Sequence, residues 1–219
     1  MVVTGTLVLL LVGIYLFTKG GGSSNTPGIT ASTALLIPQN DYETSGIVNG
    51  NYLPATPSAA VTLVEFGDYE CPACGTYHPL VKQLLTDLVG KVNFVFRNFP
   101  LPQHTNAAIS SYAAEAAGLQ GKFWQMHDKI YETQNDWVNS TDARSIFIGY
   151  AKDLSLDVNK FTSDIDSAVV KNKVQNDTND GNTIGISQTP TFFINNQMLN
   201  LTGTANELEQ DVQNTINGK

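Results

Sequence analysis

One stretch limits what this chain can fold into: Val61-Thr-Leu-Val-Glu-Phe-Gly-Asp-Tyr-Glu-Cys-Pro-Ala-Cys74, an apolar β-type run that leads directly into a Cys-x-x-Cys pair opening a helix. Cys71 and Cys74 are the only cysteines among 219 residues, so any thiol chemistry internal to the chain must pass between them. A helix start offers unpaired N–H groups and the positive end of the macrodipole, both of which favour a thiolate at Cys71. Pro72 suits the first helical position, where a missing N–H loses nothing. Cys74 lands one turn on, on the same side. A disulfide closing so short a loop removes little entropy from the unfolded chain, so its expected use is to be made and broken.

Paired cysteines at this spacing are also half of a zinc site. A structural zinc wants four ligands, and no second Cys-x-x-Cys exists; His78, one turn beyond Cys74, offers a third. A metal carrier using Cys71, Cys74 and His78 is therefore the alternative from a different class.

Residues Val2 to Phe17 carry no charge and are mostly aliphatic or aromatic, followed by Lys19 and a Gly/Ser-rich run to Pro27. This reads as a membrane segment over 1–19, a little short for a span of about 20 residues. An uncleaved anchor is expected, with a cleaved signal peptide as the alternative, and it places the rest outside the cytoplasm, where disulfides persist. Residues 20–57 are rich in Gly, Ser, Thr, Asn and Pro without sustained periodicity and read as a flexible tether. Residues 58–219 form the folded domain. Twelve basic against twenty acidic residues give a net charge of −8, which argues against nucleic acid as a partner.

Ala60 to Phe66 predicts a central strand, with Glu65 inside it. Glu65 is either at the strand's wet end, or buried beneath the cysteines as a proton acceptor for Cys74, in which case burial raises its pKa. Tyr77, Leu80, Val81, Leu84, Leu85 and Leu88 mark one face of the following helix, with Pro79 expected to kink it. Lys91 to Arg97 alternates as a second strand, so strand, helix and strand make a right-handed parallel crossover. From about 104 to 182 the signal is helical throughout, an inserted helical subdomain in which Phe123, Trp124, Met126, Ile130 and Tyr131 read as core. His104 and His127 have no acidic or cysteine neighbour at ligand spacing and read as packing or surface residues. Strand character returns at Ile184 to Ile194, followed by an Asn195-Asn196 turn, a partner strand and a closing helix over Asn206 to Ile216. Pro190 begins a buried-looking strand, where proline marks an edge, a first residue or a cis bond.

Four blocks in order, Glu-Phe-Gly-Asp-Tyr-Glu-Cys-Pro-Ala-Cys (65–74), Phe-Arg-Asn-Phe-Pro-Leu-Pro (96–102), Gly-Lys-Phe-Trp-Gln-Met-His-Asp (121–128) and Ile-Gly-Ile-Ser-Gln-Thr-Pro-Thr-Phe-Phe-Ile-Asn (184–195), resemble the DsbA-type thiol–disulfide oxidoreductases, especially the membrane-anchored BdbD-like branch. The resemblance implies an α/β thioredoxin fold with a helical insertion, no cofactor, Cys71 as the attacking and Cys74 as the resolving cysteine, and a cis Thr189-Pro190 loop facing them. It also aligns Glu65 with the family's acidic residue six positions before the first cysteine. Where many family members carry His between the cysteines, this chain has Pro72-Ala73, with Asp68 and Glu70 close by. The implied function is an extracytoplasmic enzyme that introduces disulfides into reduced exported proteins and is reoxidised by a DsbB- or VKOR-like membrane partner. Within the same fold, the alternative is a reductase or isomerase serving haem or metal-site assembly.

Overall fold

A computed structural model of the chain describes residues 31, 36, 42–201 and 205–219. The expected membrane segment at 1–19 and most of the leader lie outside these residues. Among the described residues no helix is long and apolar enough to cross a membrane.

The chain runs β1 (Glu43–Val48), β2 (Asn51–Pro54), β3 (Val61–Gly67), α1 (Pro72–Asp87), β4 (Val92–Asn98), α2 (Ala107–Gly118), α3 (Phe123–Glu132), α4 (Gln134–Trp137), α5 (Ala143–Asp153), α6 (Val158–Asp164), α7 (Ala168–Thr183), β5 (Thr191–Ile194), β6 (Gln197–Met198) and α8 (Ala205–Ile216). The sheet order is β2-β1-β4-β3-β5-β6. β3 and β4 pair in parallel from Val61↔Val92 to Gly67↔Asn98, the crossover being α1, and β5 pairs antiparallel with β3 from Leu63↔Ile194 to Phe66↔Thr191. Helices α2 to α7 form the insertion between β4 and β5. This is the thioredoxin-like α/β architecture with a helical insertion.

The period-2 alternation of β3 sorts its side chains between two cores. Leu63, with Phe94, Phe96, Phe192 and Ile194 from neighbouring strands, packs with α1 and the insertion in the larger core. Val64 and Phe66 turn the other way, with Val95, Phe99, Ile186 and Phe193. Each such aromatic or aliphatic side chain, when fully buried, contributes about 1.5–3 kcal/mol.

The tether expected over 20–57 is corrected at its end, because 43–54 form β1 and β2, and β1 pairs with β4 through Glu43↔Val95 and Thr44↔Phe94. Their shortness and a bulge between Thr44 and Gly46 hid them from periodicity. Gly46 has φ +141°, and a Cβ there would lie 2.7 Å from the Leu85 carbonyl oxygen, so only glycine lets β1 approach α1 this closely. The last part of the helical block is two helices, α6 and α7, because Ser167 caps a fresh start by accepting from the Val170 N–H. Pro79 lies inside α1, which continues through it as one element of 16 residues.

Candidate active site

The local sequence builds the cysteine end of the site. β3 ends at Gly67, the chain turns through Asp68 to Glu70, and Cys71 is the N-cap of α1 with extended backbone and Pro72 at the first helical position. Pro72 and Ala73 are exposed, whereas Cys71 is 7% exposed and Cys74 is fully buried. Both are free thiols.

Tertiary structure brings the loop before β5 against them. Thr189-Pro190 is a cis peptide, and the Cys71 thiol donates to the Thr189 carbonyl at 3.3 Å. The Thr189 hydroxyl is buried without a hydrogen-bond partner while Cys71 is a thiol. When Cys71 ionises, the bond to the carbonyl is lost and this hydroxyl becomes a donor to the anion. Beside the loop runs an open cleft of roughly 420 Å³, lined by Ala73, Tyr77, Pro190, Phe192, Met198 and Leu201 among others.

The two sulfurs are driven apart in acidity. The Cys74 thiol donates to Cys71, and with Thr189 and the backbone N–H groups of Cys74 and Ala73 it outweighs burial and pulls the Cys71 pKa down to about 5. Cys74 moves the opposite way, held well above the ordinary thiol range by burial first and by its bond to Cys71 second.

Glu65 is not at a wet end. It is 3% exposed, on the face of β3 that carries α1, and its Oε1 has no hydrogen-bond partner. Burial first, and the neighbouring Cys71 anion second, push its carboxyl up to about 8. Tyr131, whose buried hydroxyl is also without a partner, is raised well above its ordinary pKa, chiefly by burial and then by the neighbouring Cys74 and Glu65.

Two acidic side chains beside the motif turn away from the sulfur. Asp68 accepts from the Glu70 and Leu101 N–H groups and is paired with His104 Nδ1 at 2.7 Å, while its own N–H points at Cys74 Sγ. Glu70 accepts from the Asn106 N–H at 2.5 Å. These donors occupy the carboxylates. His104, expected to be a packing or surface residue without an acidic neighbour, is therefore a hydrogen-bond partner of Asp68 across 36 positions of chain.

Gln134 was missed from sequence. Its Nε2 donates to the carbonyls of Tyr69 at 2.7 Å and Cys71 at 3.0 Å, clamping the motif's turn from the insertion. No spacing signal points to it; only its place at the start of α4 does.

The Cys71/Cys74/His78 ligand set is not assembled. Although His78 follows Cys74 by one turn, its ring stacks on Tyr131 and its Nε2 faces Asp128, with His127 alongside. Of the two roles expected for His127, packing or surface, it takes the first: it is buried among polar and aromatic partners, its Nδ1 lying 3.0 Å from the Tyr69 hydroxyl.

The family model described as thioredoxin matches residues 50–214 of this chain. The chain belongs to the thioredoxin family. Its fold is that of a thioredoxin-like oxidoreductase from Silicibacter pomeroyi, with a TM-score of 0.69 and 22% identity over 86% of this chain and 99% of that one. It is equally similar to oxidised BdbD from Bacillus subtilis, with a TM-score of 0.68 and 21% identity over 87% of this chain and 98% of that one. Among curated proteins it is 39% identical over 138 residues to Na(+)/H(+) antiporter NhaA 1 of Salinispora arenicola, a match covering 63% of this chain and 20% of that protein. The chain thus spans about a fifth of the length of the curated relatives it matches.

Proposed function

We propose that this thioredoxin-family chain is a protein thiol–disulfide oxidoreductase that introduces disulfides into reduced exported proteins. The observation that carries it is the opposed acidity of two cysteines three positions apart, donors at the helix start holding Cys71 near pKa 5 and a buried turn holding Cys74 protonated.

In the oxidised enzyme, a substrate thiolate attacks Cys71 Sγ; the Cys71–Cys74 bond breaks and its electron pair leaves on Cys74, which must gain a proton. Glu65, buried on the same face and carrying a proton near neutrality, is suited to supply it. A second substrate thiolate then attacks the substrate sulfur of the mixed disulfide and Cys71 leaves as a stabilised thiolate. The substrate is oxidised by two electrons and the pair becomes the dithiol. An extended substrate segment has the cleft beside Pro190 and the Thr189 backbone to pair with.

Electron flow follows from the same asymmetry. Stabilising the Cys71 thiolate stabilises the dithiol over the disulfide, so the disulfide is an oxidant. Missing His between the cysteines is compensated by the Cys74 and Thr189 donors, and Asp68 and Glu70 are held by other partners. The dithiol is reoxidised, in this reading, by a DsbB- or VKOR-like membrane protein. The apolar segment at 1–19 is the anchor that keeps the domain beside that partner outside the cytoplasm.

The test is equilibration of the Cys71/Cys74 couple with glutathione, together with oxidation of a reduced peptide. The expected potential is more oxidising than that of thioredoxin, with oxidation abolished in Cys71→Ser and a mixed disulfide trapped at Cys71 in Cys74→Ser. A thioredoxin-like potential would turn the assignment to a reductase, and full activity in Cys71→Ser would end it.

A further inference from the structure

A second set of reactive side chains gathers away from the cysteines. His78 on α1, and His127 and Asp128 on α3, each place one ligand-capable atom within 4.8 Å of the others. Three such residues meeting by packing alone is not unusual, but one of them is left in a costly state. His78 is 7% exposed, and its Nε2 is enclosed with no hydrogen-bond partner, 3.5 Å from Asp128 Oδ1. A buried imidazole nitrogen aimed at a carboxylate and a second imidazole, yet bonded to neither, is an atom that a bound cation would satisfy.

The surroundings fit that explanation. His127 is held from behind by the Tyr69 hydroxyl at Nδ1, and Asp128 Oδ1 accepts from the Tyr52 hydroxyl at 2.6 Å. Partners of this kind orient ligands in metal sites. Tyr131 stacks on His78 at 4.9 Å between ring centroids, and Phe96 and Trp124 stand edge-on to His127, which keeps bulk water from the imidazoles. Asp128, 15% exposed at its side chain, gives the way in.

We propose that His78, His127 and Asp128 bind one divalent first-row transition ion, Zn²⁺ being the species that fits two imidazoles and one carboxylate with a water in the fourth position. Ca²⁺ and Mg²⁺ prefer oxygen donors and are poorly served here. Lys82 is the competing cation: its Nζ lies 2.9 Å from Asp128 Oδ2 and 2.6 Å from Glu132 Oε1, so it keeps a carboxylate when the ion takes Asp128. The ion would join the cysteine-bearing helix to the insertion. Neither cysteine belongs to the site, so the proposal stands apart from the redox reading.

The experiment uses the chain carrying both Cys71→Ser and Cys74→Ser, which removes thiolate ligands. Zn²⁺ is titrated calorimetrically and Co²⁺ by visible absorption. One ion per chain is expected, with Co²⁺ bands of a four- or five-coordinate site and a Tm that rises with free Zn²⁺. Asp128→Asn should weaken binding by at least about tenfold. Lys82→Ala, at a partly exposed position that threatens no fold, should tighten it, an effect a merely structural cluster would not show. No stoichiometric ion, or an affinity that Lys82→Ala leaves unchanged or weakens, overturns the proposal.

Discussion

The thiol of Cys71 donates to the backbone carbonyl of Thr189 at 3.3 Å, so the N-cap of one helix and the entry to a strand 118 positions later share a single contact. That contact exists only in the thiol form. Ionisation exchanges it for donors to the sulfur anion, among them the Thr189 hydroxyl, which has no other partner.

Titration of the thiolate absorbance in the reduced protein should therefore show a midpoint near pH 5 for Cys71. Cys74→Ala removes the largest stabiliser of the anion and should raise the midpoint by about 1–2 units, since a hydrogen bond to a charged group is worth about 1.5–3 kcal/mol. Thr189→Val should raise it too, by less. A midpoint that neither substitution moves would place the cause elsewhere.

Glu65 should give the reduced protein an unusual pH dependence. Its folded pKa of about 8 lies above its ordinary 4.5, so its contribution is full below pH 4.5 and is lost as pH rises towards 8. Cys71 slopes oppositely: depressed from 9.0 to about 5, its contribution is present above 9.0 and is lost as pH falls through about 5. Urea unfolding at a series of pH values should find Glu65→Gln gaining on the wild type between pH 4.5 and 8, by up to a few kcal/mol. Oxidation removes the Cys71 anion and should shift the effect to lower pH. A difference that stays flat across that window would count against the buried carboxyl.

Gln134→Leu should lower folded stability by about 1–3 kcal/mol, because the Tyr69 and Cys71 carbonyls lose their shared donor. Peptide oxidation should slow without stopping, since both cysteines remain. Chemical denaturation and single-turnover kinetics on the same sample check both.

Behind the sheet, Arg97 is fully buried, its Nε 2.8 Å from Asp177 and its Nη2 2.7 Å from Asp180, with its guanidinium over the Phe66 ring. Arg97→Met should destabilise the fold by about 3–5 kcal/mol, towards the lower end because Lys173 still pairs with Asp177. Full stability on urea titration would show the pair to be replaceable by apolar packing.

By itself the sequence determined the strand, the Cys-x-x-Cys helix start, the parallel crossover, the helical block and the closing hairpin. These follow from short-range rules: side-chain periodicity, a proline at a first helical position, and Asn195 and Asn196, both at positive φ in the turn. Only the tertiary structure decided that 43–54 belong to the sheet, that Glu65 is buried, that Asp68 meets His104, that Gln134 clamps the motif, and that the ring of His78 turns to Asp128 and not to the cysteines. Each of these depends on which faces meet across tens of residues. Such pairings leave no trace in local spacing, because a hydrogen bond or a buried charge is set by distance in space and not along the chain.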